Sequence, residues 1–226
     1  MFGATIKGFG AYAEYKCLPE NAPIAIMPTN TSYQEAAAIP IGALTALRFL
    51  RKAEIKNGQK VLIYGASGNV GTYAVQLAKH FGVEVTGVWS GKNFAIVKSL
   101  GADIMIDYTD PNFTEKLEMY DVNFLAFDKC PFSTCNKSLN KNGVYINVTT
   151  PINSFEMIWT ALSTNKKIIM AHSWPDKSED LVFLKNLVET GVLKIIIDKT
   201  YALEQIVEAH RYVDKRHNVG NVVVAV

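Results

Sequence analysis

Glycines at 65, 68 and 71 stand directly after the apolar run Val61–Tyr64. They open a stretch in which Val70, Ala74, Leu77, Ala78 and Phe81 recur on one face at the 3.6-residue period of a helix. A chain leaving a buried strand here has to turn sharply into a helix whose first backbone N–H groups find no partner inside that helix. Gly65 permits the tight turn, Gly68 lets a bulky anion approach the backbone, and Gly71 lets the helix pack closely on the strand. The segment Gly65, Ala66, Ser67, Gly68, Asn69, Val70 and Gly71 is therefore expected to cradle a pyrophosphate, because open N–H groups and the positive end of a helix both favour an anion. A lone glycine pattern is a weak sign; between a strand and an amphipathic helix, with a second strand at the right distance, it points to a dinucleotide.

The choice between the two nicotinamide dinucleotides is read at the end of that second strand. Enzymes that use NADH place an acid there, roughly 20 residues past the turn, to hold the ribose 2′-OH. The stretch here is "VTGVWSGKN", with no acid between Thr86 and Ala95. Ser90 and Lys92 instead offer a hydroxyl donor and a cation, which suit a doubly charged 2′-phosphate and point to NADPH. Trp89, at the same strand end, is expected to lie beside the adenine.

Six strands are expected to position this site: Val61–Tyr64, Val83–Val88, Ile104–Ile106, Val122–Phe127, Val144–Val148 and Lys167–Ala171. They begin at intervals of about twenty residues, the repeat of a strand, a turn, a helix and a turn. Asp110-Pro111 reads as a cap and first-turn proline opening a helix toward Leu117. Ser178 ahead of "EDLVFLKNLVET", with Gly191 behind it, marks both ends of another. Strands apolar on both faces and alternating with helices imply an α/β fold, a Rossmann doubly wound six-stranded parallel sheet. The flanks differ. The alternating Ala and Tyr of "FGAYAEY" suit a half-buried strand, Ser32-x-x-Glu35 is a capping box for a helix running into Pro40, and helical spacing resumes from Ile41 to Arg51. Leu203–Val213 reads as a helix and "GNVVVAV" as a closing strand without a partner nearby. The expected division is a catalytic-lobe remnant over 1–30, an NADP-binding domain over 31–198 and a return to the lobe over 199–226.

Bulk properties set outer bounds. A chain of 226 residues with 49% apolar composition can bury one good core and a small second lobe. A net charge of +2, with basic pairs at Lys166-Lys167 and Lys215-Arg216 that are not interleaved with aromatics, argues against a nucleic-acid partner. Cys17, Cys130 and Cys135 are too few and too oddly spaced for a disulfide framework or a metal site, so a reducing, cytoplasmic setting is expected. The start "MFGATIKGFG" lacks the features of a signal peptide, and no apolar run approaches the ~20 residues that cross a bilayer, so no membrane partner is expected.

Several blocks together carry a resemblance: "GAYAEY" with "AAAIPIGALTAL", then "GQKVLIYGASGNVGTYAVQLAKHFG", "SLGAD" with "IDY", and "NVGNVVVAV". In this order they resemble the medium-chain dehydrogenase/reductase superfamily, and within it the zinc-independent quinone oxidoreductase branch related to zeta-crystallin. The resemblance covers essentially the whole chain. Members of the family carry a catalytic lobe ahead of the "GAYAEY" strand, so the chain looks like a fragment lacking most of that lobe. The resemblance implies that Thr45 stands near the nicotinamide, that Val148 and Thr149 line the same pocket, and that Lys92 and Tyr108 hold the 2′-phosphate. In zinc-dependent relatives a cysteine four residues before that threonine ligates the catalytic metal. Ile41 stands there and cannot, and His80, His172, His210 and His217 are scattered, so no metal is expected.

The implied activity is NADPH-dependent, zinc-independent hydride transfer to a quinone or α,β-unsaturated carbonyl, acceptors that are already activated. Two alternatives stand beside it: an NADP-binding domain without turnover, because one wall of the substrate cleft is missing, and an alcohol dehydrogenase-type oxidoreductase. Family members commonly dimerise through the sixth strand, here Lys166–His172, which makes a homodimer the expected assembly.

Overall fold

The computed structural model describes residues 1–4, 10–127, 130–149, 155–170 and 176–226, with the main chain alone at 92, 155, 156 and 158. Two short strands, β1 (Phe2–Gly3) and β2 (Ile24–Ala25), pair antiparallel. Helix α1 (Tyr33–Lys52) begins at the expected capping box: the Ser32 N–H donates to Glu35 Oε2 at 2.8 Å and the Glu35 N–H donates to Ser32 Oγ at 3.2 Å. Pro40 does not divide the helix. Proline forfeits one N–H bond, while the buried Ile39, Ala43, Leu47 and Leu50 keep both halves on a single helix.

Strands and helices then alternate: β3 (Lys60–Tyr64), α2 (Asn69–His80), β4 (Glu84–Trp89), α3 (Phe94–Ser99), β5 (Ile104–Asp107), β6 (Tyr120–Leu125), α4 (Phe132–Lys137), β7 (Leu139–Asn147), α5 (Phe155–Ser163) and β8 (Lys167–Met170). The chain continues through α6 (Ser178–Glu189), β9 (Ile197–Ala202), α7 (Ile206–Asp214) and β10 (Asn221–Ala225). These residues form two compact units, 1–44 with 174–226, and 45–173.

The second unit holds a six-stranded parallel sheet in the order β5-β4-β3-β6-β7-β8. Its central strands β3, β4 and β6 are buried on both faces, as strands between helical layers must be, while the edge strands β5 and β8 are partly exposed. Leu62, Tyr64, Val88 and Ile106 share one apolar cluster with Cys135, Tyr145 and Met157. On the opposite face a side chain at Gly87 would meet Val97 of α3 and Ala66. Strand order reverses between β3 and β6, and such a switch point opens a crevice at the carboxyl ends of the strands.

Other expectations are corrected. The Asp110-Pro111 helix is only a single 3₁₀ turn, Phe113–Lys116. Asp110 Oδ1 accepts the Asn112 N–H and Oδ2 binds Lys116, and this local turn competes with helix. The Ala and Tyr of residues 11–15 form no strand and are exposed, Tyr15 to 90%, since no partner strand lies beside them among the described residues. Lys177, not Ser178, caps α6. The closing strand has a partner after all: β10 pairs in parallel with β9, whose mixed polar pattern hid it. Cys130 and the α4 residue Cys135 lie side by side, with Cα atoms 6.8 Å apart, while Cys17 is exposed. Ala171 and His172, expected in the sixth strand, lie outside the described residues.

Phe124 of β6 is fully buried and meets Phe49 of α1 edge to face, with centroids 6.4 Å apart. Phe124→Ala is expected to cost about 3–5 kcal/mol of stability, read as a lower midpoint in urea denaturation with an unchanged slope.

Candidate functional site

The glycine turn lies at the switch point. Gly65 has φ +84°, a conformation favoured by glycine, and its N–H donates to the Val88 carbonyl at 2.9 Å. A side chain at 65 would press on Phe127, and one at 71 would collide with the Gly65 carbonyl oxygen. Helix α2 therefore sits directly on the turn. Its first internal bond runs from the Thr72 N–H to the Gly68 carbonyl, so the N–H groups of Asn69, Val70 and Gly71 precede it and open the helix end. Gly68, the N-cap, supplies no side chain to close that end.

Within this turn Ala66 and Ser67 are fully buried. Ser67 Oγ and Asn69 Oδ1 have no hydrogen-bond partner among the described residues. A buried hydroxyl left unpaired costs about 1–3 kcal/mol. A phosphate oxygen at the helix end would relieve that cost, so the turn fits a pyrophosphate in both shape and donor chemistry.

Beside the turn an aromatic wall closes the carboxyl ends of β3, β4, β5 and β6. Tyr108 packs on Tyr64, on Trp89 and on Phe127, with ring centroids 6.0, 6.4 and 6.3 Å away. Trp89 also packs on Phe127 at 5.8 Å and is 6% exposed. Trp89 thus backs the wall, and the half-buried Tyr108 and Phe127 are its more accessible members. Burial, with Tyr108 alongside, pushes the Tyr64 hydroxyl up to about 12, so it stays protonated and neutral near pH 7.

Past the wall, Ser90 is half-buried and the main chain of Lys92 lies in the 3₁₀ turn Gly91–Asn93. Asp107 was not singled out from the sequence, yet it sits at this corner. Its Oδ2 accepts the Gly91 N–H at 2.9 Å, and its Oδ1 accepts the N–H and hydroxyl of Thr109 at 2.9 and 2.7 Å. Across the switch point, the Val148 N–H donates to the Leu125 carbonyl at 3.0 Å. Thr149 gives both its N–H and its hydroxyl to Asn147 Oδ1, at 2.9 and 2.8 Å. The fold thus brings the glycine turn, Ser90, Lys92, Tyr108, Val148 and Thr149 to one end of the sheet. Thr45 is half-buried on α1, two helical turns before Lys52. Lys167, which starts β8, donates from Nζ to the Lys52 carbonyl at the end of α1. Among the described residues no group of three His, Cys, Asp or Glu side chains could hold a metal, and no helix is long and apolar enough to cross a membrane.

The Thr109 hydroxyl is the largest influence on Asp107 and lowers its carboxyl pKa. Partial burial opposes it, and the Thr109 and Gly91 amides lower it further, leaving it below the ordinary 3.8. A depressed carboxyl contributes stability above its unfolded value and loses it as pH falls through the folded one. The stability gap between the unaltered chain and Asp107→Ala is therefore expected to be full at pH 6 and to shrink as pH is taken below about 4, measured by urea denaturation at each pH.

Residues 100–224 match the family described as zinc-binding dehydrogenase. The chain is 33% identical, over 96% of its length, to the chloroplast envelope quinone oxidoreductase homolog of Arabidopsis thaliana, and covers 69% of that protein. It is 31% identical to the 2-methylene-furan-3-one reductase of Solanum lycopersicum, across 96% of this chain and 53% of that one. Among solved structures, an NAD-dependent alcohol dehydrogenase superposes with a TM-score of 0.85 at 28% identity, over 96% of this chain and 65% of the other. The chain thus spans between about half and about two thirds of the length of these relatives. Sequence, strand order and the glycine turn agree: the chain belongs to the medium-chain dehydrogenase/reductase superfamily, through its zinc-binding dehydrogenase family.

Proposed function

We propose that the chain binds NADPH at the carboxyl end of its six-stranded sheet and works as a zinc-independent oxidoreductase toward a quinone or an α,β-unsaturated carbonyl compound. The observation that carries the reading is Ser67, a fully buried hydroxyl without a protein partner at the open end of α2. Ser67, Asn69 and the helix N–H groups hold the pyrophosphate. Ser90, Lys92 and Tyr108 hold the 2′-phosphate, and Thr45, Val148 and Thr149 line the nicotinamide pocket, with Asn147 fixing Thr149 in place.

When bound, the nicotinamide supplies the hydride. The chain's share is position: the aromatic wall keeps water from one side of the crevice, and the wall's hydroxyl at Tyr64 stays neutral, so no proton is drawn from it. An acceptor already polarised by its own conjugation needs orientation more than a metal. Residues 1–30 and 199–226 are proposed as parts of the catalytic lobe, and 31–198 as the cofactor domain.

A homodimer through β8 fits the same reading. β8 is the last strand of the sheet, and the neighbouring α5 exposes Trp159 to 62% and Leu162 to 80%. Sedimentation at micromolar concentration is expected to give a dimer, and Trp159→Glu a monomer; an unaltered chain that stays monomeric ends that assignment.

Calorimetric titration of the purified chain is expected to show NADPH bound at least about tenfold more tightly than NADH, a gap of roughly 1.4 kcal/mol. Ser67→Ala is expected to weaken both cofactors together. Binding with no quinone or enone reduction would leave a cofactor module without turnover. No binding of either cofactor defeats the reading.

A further inference from the structure

We infer that Asp107 is a positioning residue that sets cofactor preference, holding the two exit turns that grip a 2′-phosphate. The inference rests on the proposed NADPH site. Asp107 and Trp89 are register partners at the ends of β5 and β4, so the Asp107 side chain stands where the two chains leave the sheet. One carboxylate oxygen takes the Gly91 N–H, between Ser90 and Lys92; the other takes both donors of Thr109, next to Tyr108. The three residues expected at the 2′-phosphate are thus carried by two turns that share one carboxylate. The Tyr108 N–H adds a bond to the Trp89 carbonyl at 3.2 Å, which closes the same corner through the main chain.

The approach is close. A side chain at Gly91 would put its first carbon 2.5 Å from Asp107 Oδ2. A side chain at 91 therefore displaces either the Asp107 carboxylate or the turn, and disturbs the Gly91–Asp107 bond in both cases.

An acid at this corner invites the opposite reading, in which it accepts the ribose 2′-OH as in NADH-using enzymes. The hydrogen bonds argue against that. Oδ1 already accepts two donors and Oδ2 one, and all three come from the turns. These bonds spread the carboxylate charge over main-chain and hydroxyl donors, which reduces its repulsion of a neighbouring phosphate. Three of its roughly four acceptor sites are committed to shaping the turns.

The test separates the 2′-phosphate from everything else by titrating the purified chain with adenosine 2′,5′-bisphosphate and, in parallel, with AMP. The unaltered chain is expected to prefer the bisphosphate. Asp107→Ala frees both turns, and Gly91→Ala disturbs the Gly91–Asp107 bond while keeping the charge, so the second variant separates the contact from the charge and stands in if the first folds poorly. Both are expected to lower bisphosphate affinity about tenfold while leaving AMP within about twofold, a selective loss of roughly 1.4 kcal/mol. A preference that survives in Gly91→Ala, or that grows in Asp107→Ala, overturns the inference while the NADPH reading stands. Loss of AMP affinity in Asp107→Ala with the bisphosphate unaffected identifies a ribose-reading acid and overturns it too. Equal affinity of the unaltered chain for the two ligands defeats the 2′-phosphate reading itself, and this inference with it.

Discussion

Helix α2 rests on the carbonyl of Gly65, and almost everything at the carboxyl end of the sheet depends on that contact. It exists because Gly71 has no side chain to hold the two apart. The turn is tied on both sides: Gly65 donates to Val88 at the end of β4, and Ala126, just past β6, donates to the Tyr64 carbonyl. The strands on either side of the switch point are therefore registered on the same few atoms as the helix end. A β-carbon at 65 or 71 would loosen the helix, the crevice and the packing of Phe127 at once.

From this clamp the site divides into surfaces of different chemistry. The open end of α2, with the unpaired Ser67 hydroxyl, is polar and lies deep. The wall of Tyr64, Trp89, Tyr108 and Phe127 is uncharged and flat-sided. At its rim, the Asp107 carboxylate bonds two turns. A buried phosphate site, an aromatic wall and a polar rim together offer surfaces suited to the charged, flat and polar parts of a dinucleotide.

Local signals were read well wherever a few adjacent residues decide the outcome. The six core strands are legible because short apolar runs recur about every twenty residues and several are apolar on both faces, and the capping box at Ser32 because its donor and acceptor are three residues apart. Errors arose where the outcome depended on neighbours distant in the chain. "GAYAEY" has the alternation of a strand and no partner to pair with among the described residues, and β9 has a partner in β10 but little alternation. Pro40 reads as a stop, yet burial on both sides of it outweighs one lost bond. Asp110 reads as a cap, yet its carboxylate closes a tight turn with Asn112 and Lys116.

The sequence alone determined the parallel α/β architecture and the glycine turn, because apolar patterning, helical period and the spacing of seven consecutive residues are local properties, and its blocks in order carry the resemblance to the superfamily. Tertiary structure decided what stands around that turn. Phe127 reaches Gly65 from the far side of the switch point, and Asp107 reaches Gly91 from the next strand, 16 residues on. A search for an acid along β4 could not find one that arrives from β5. Parallel pairing sets strand ends side by side that are far apart in the chain, and only the folded register shows which side chains meet there.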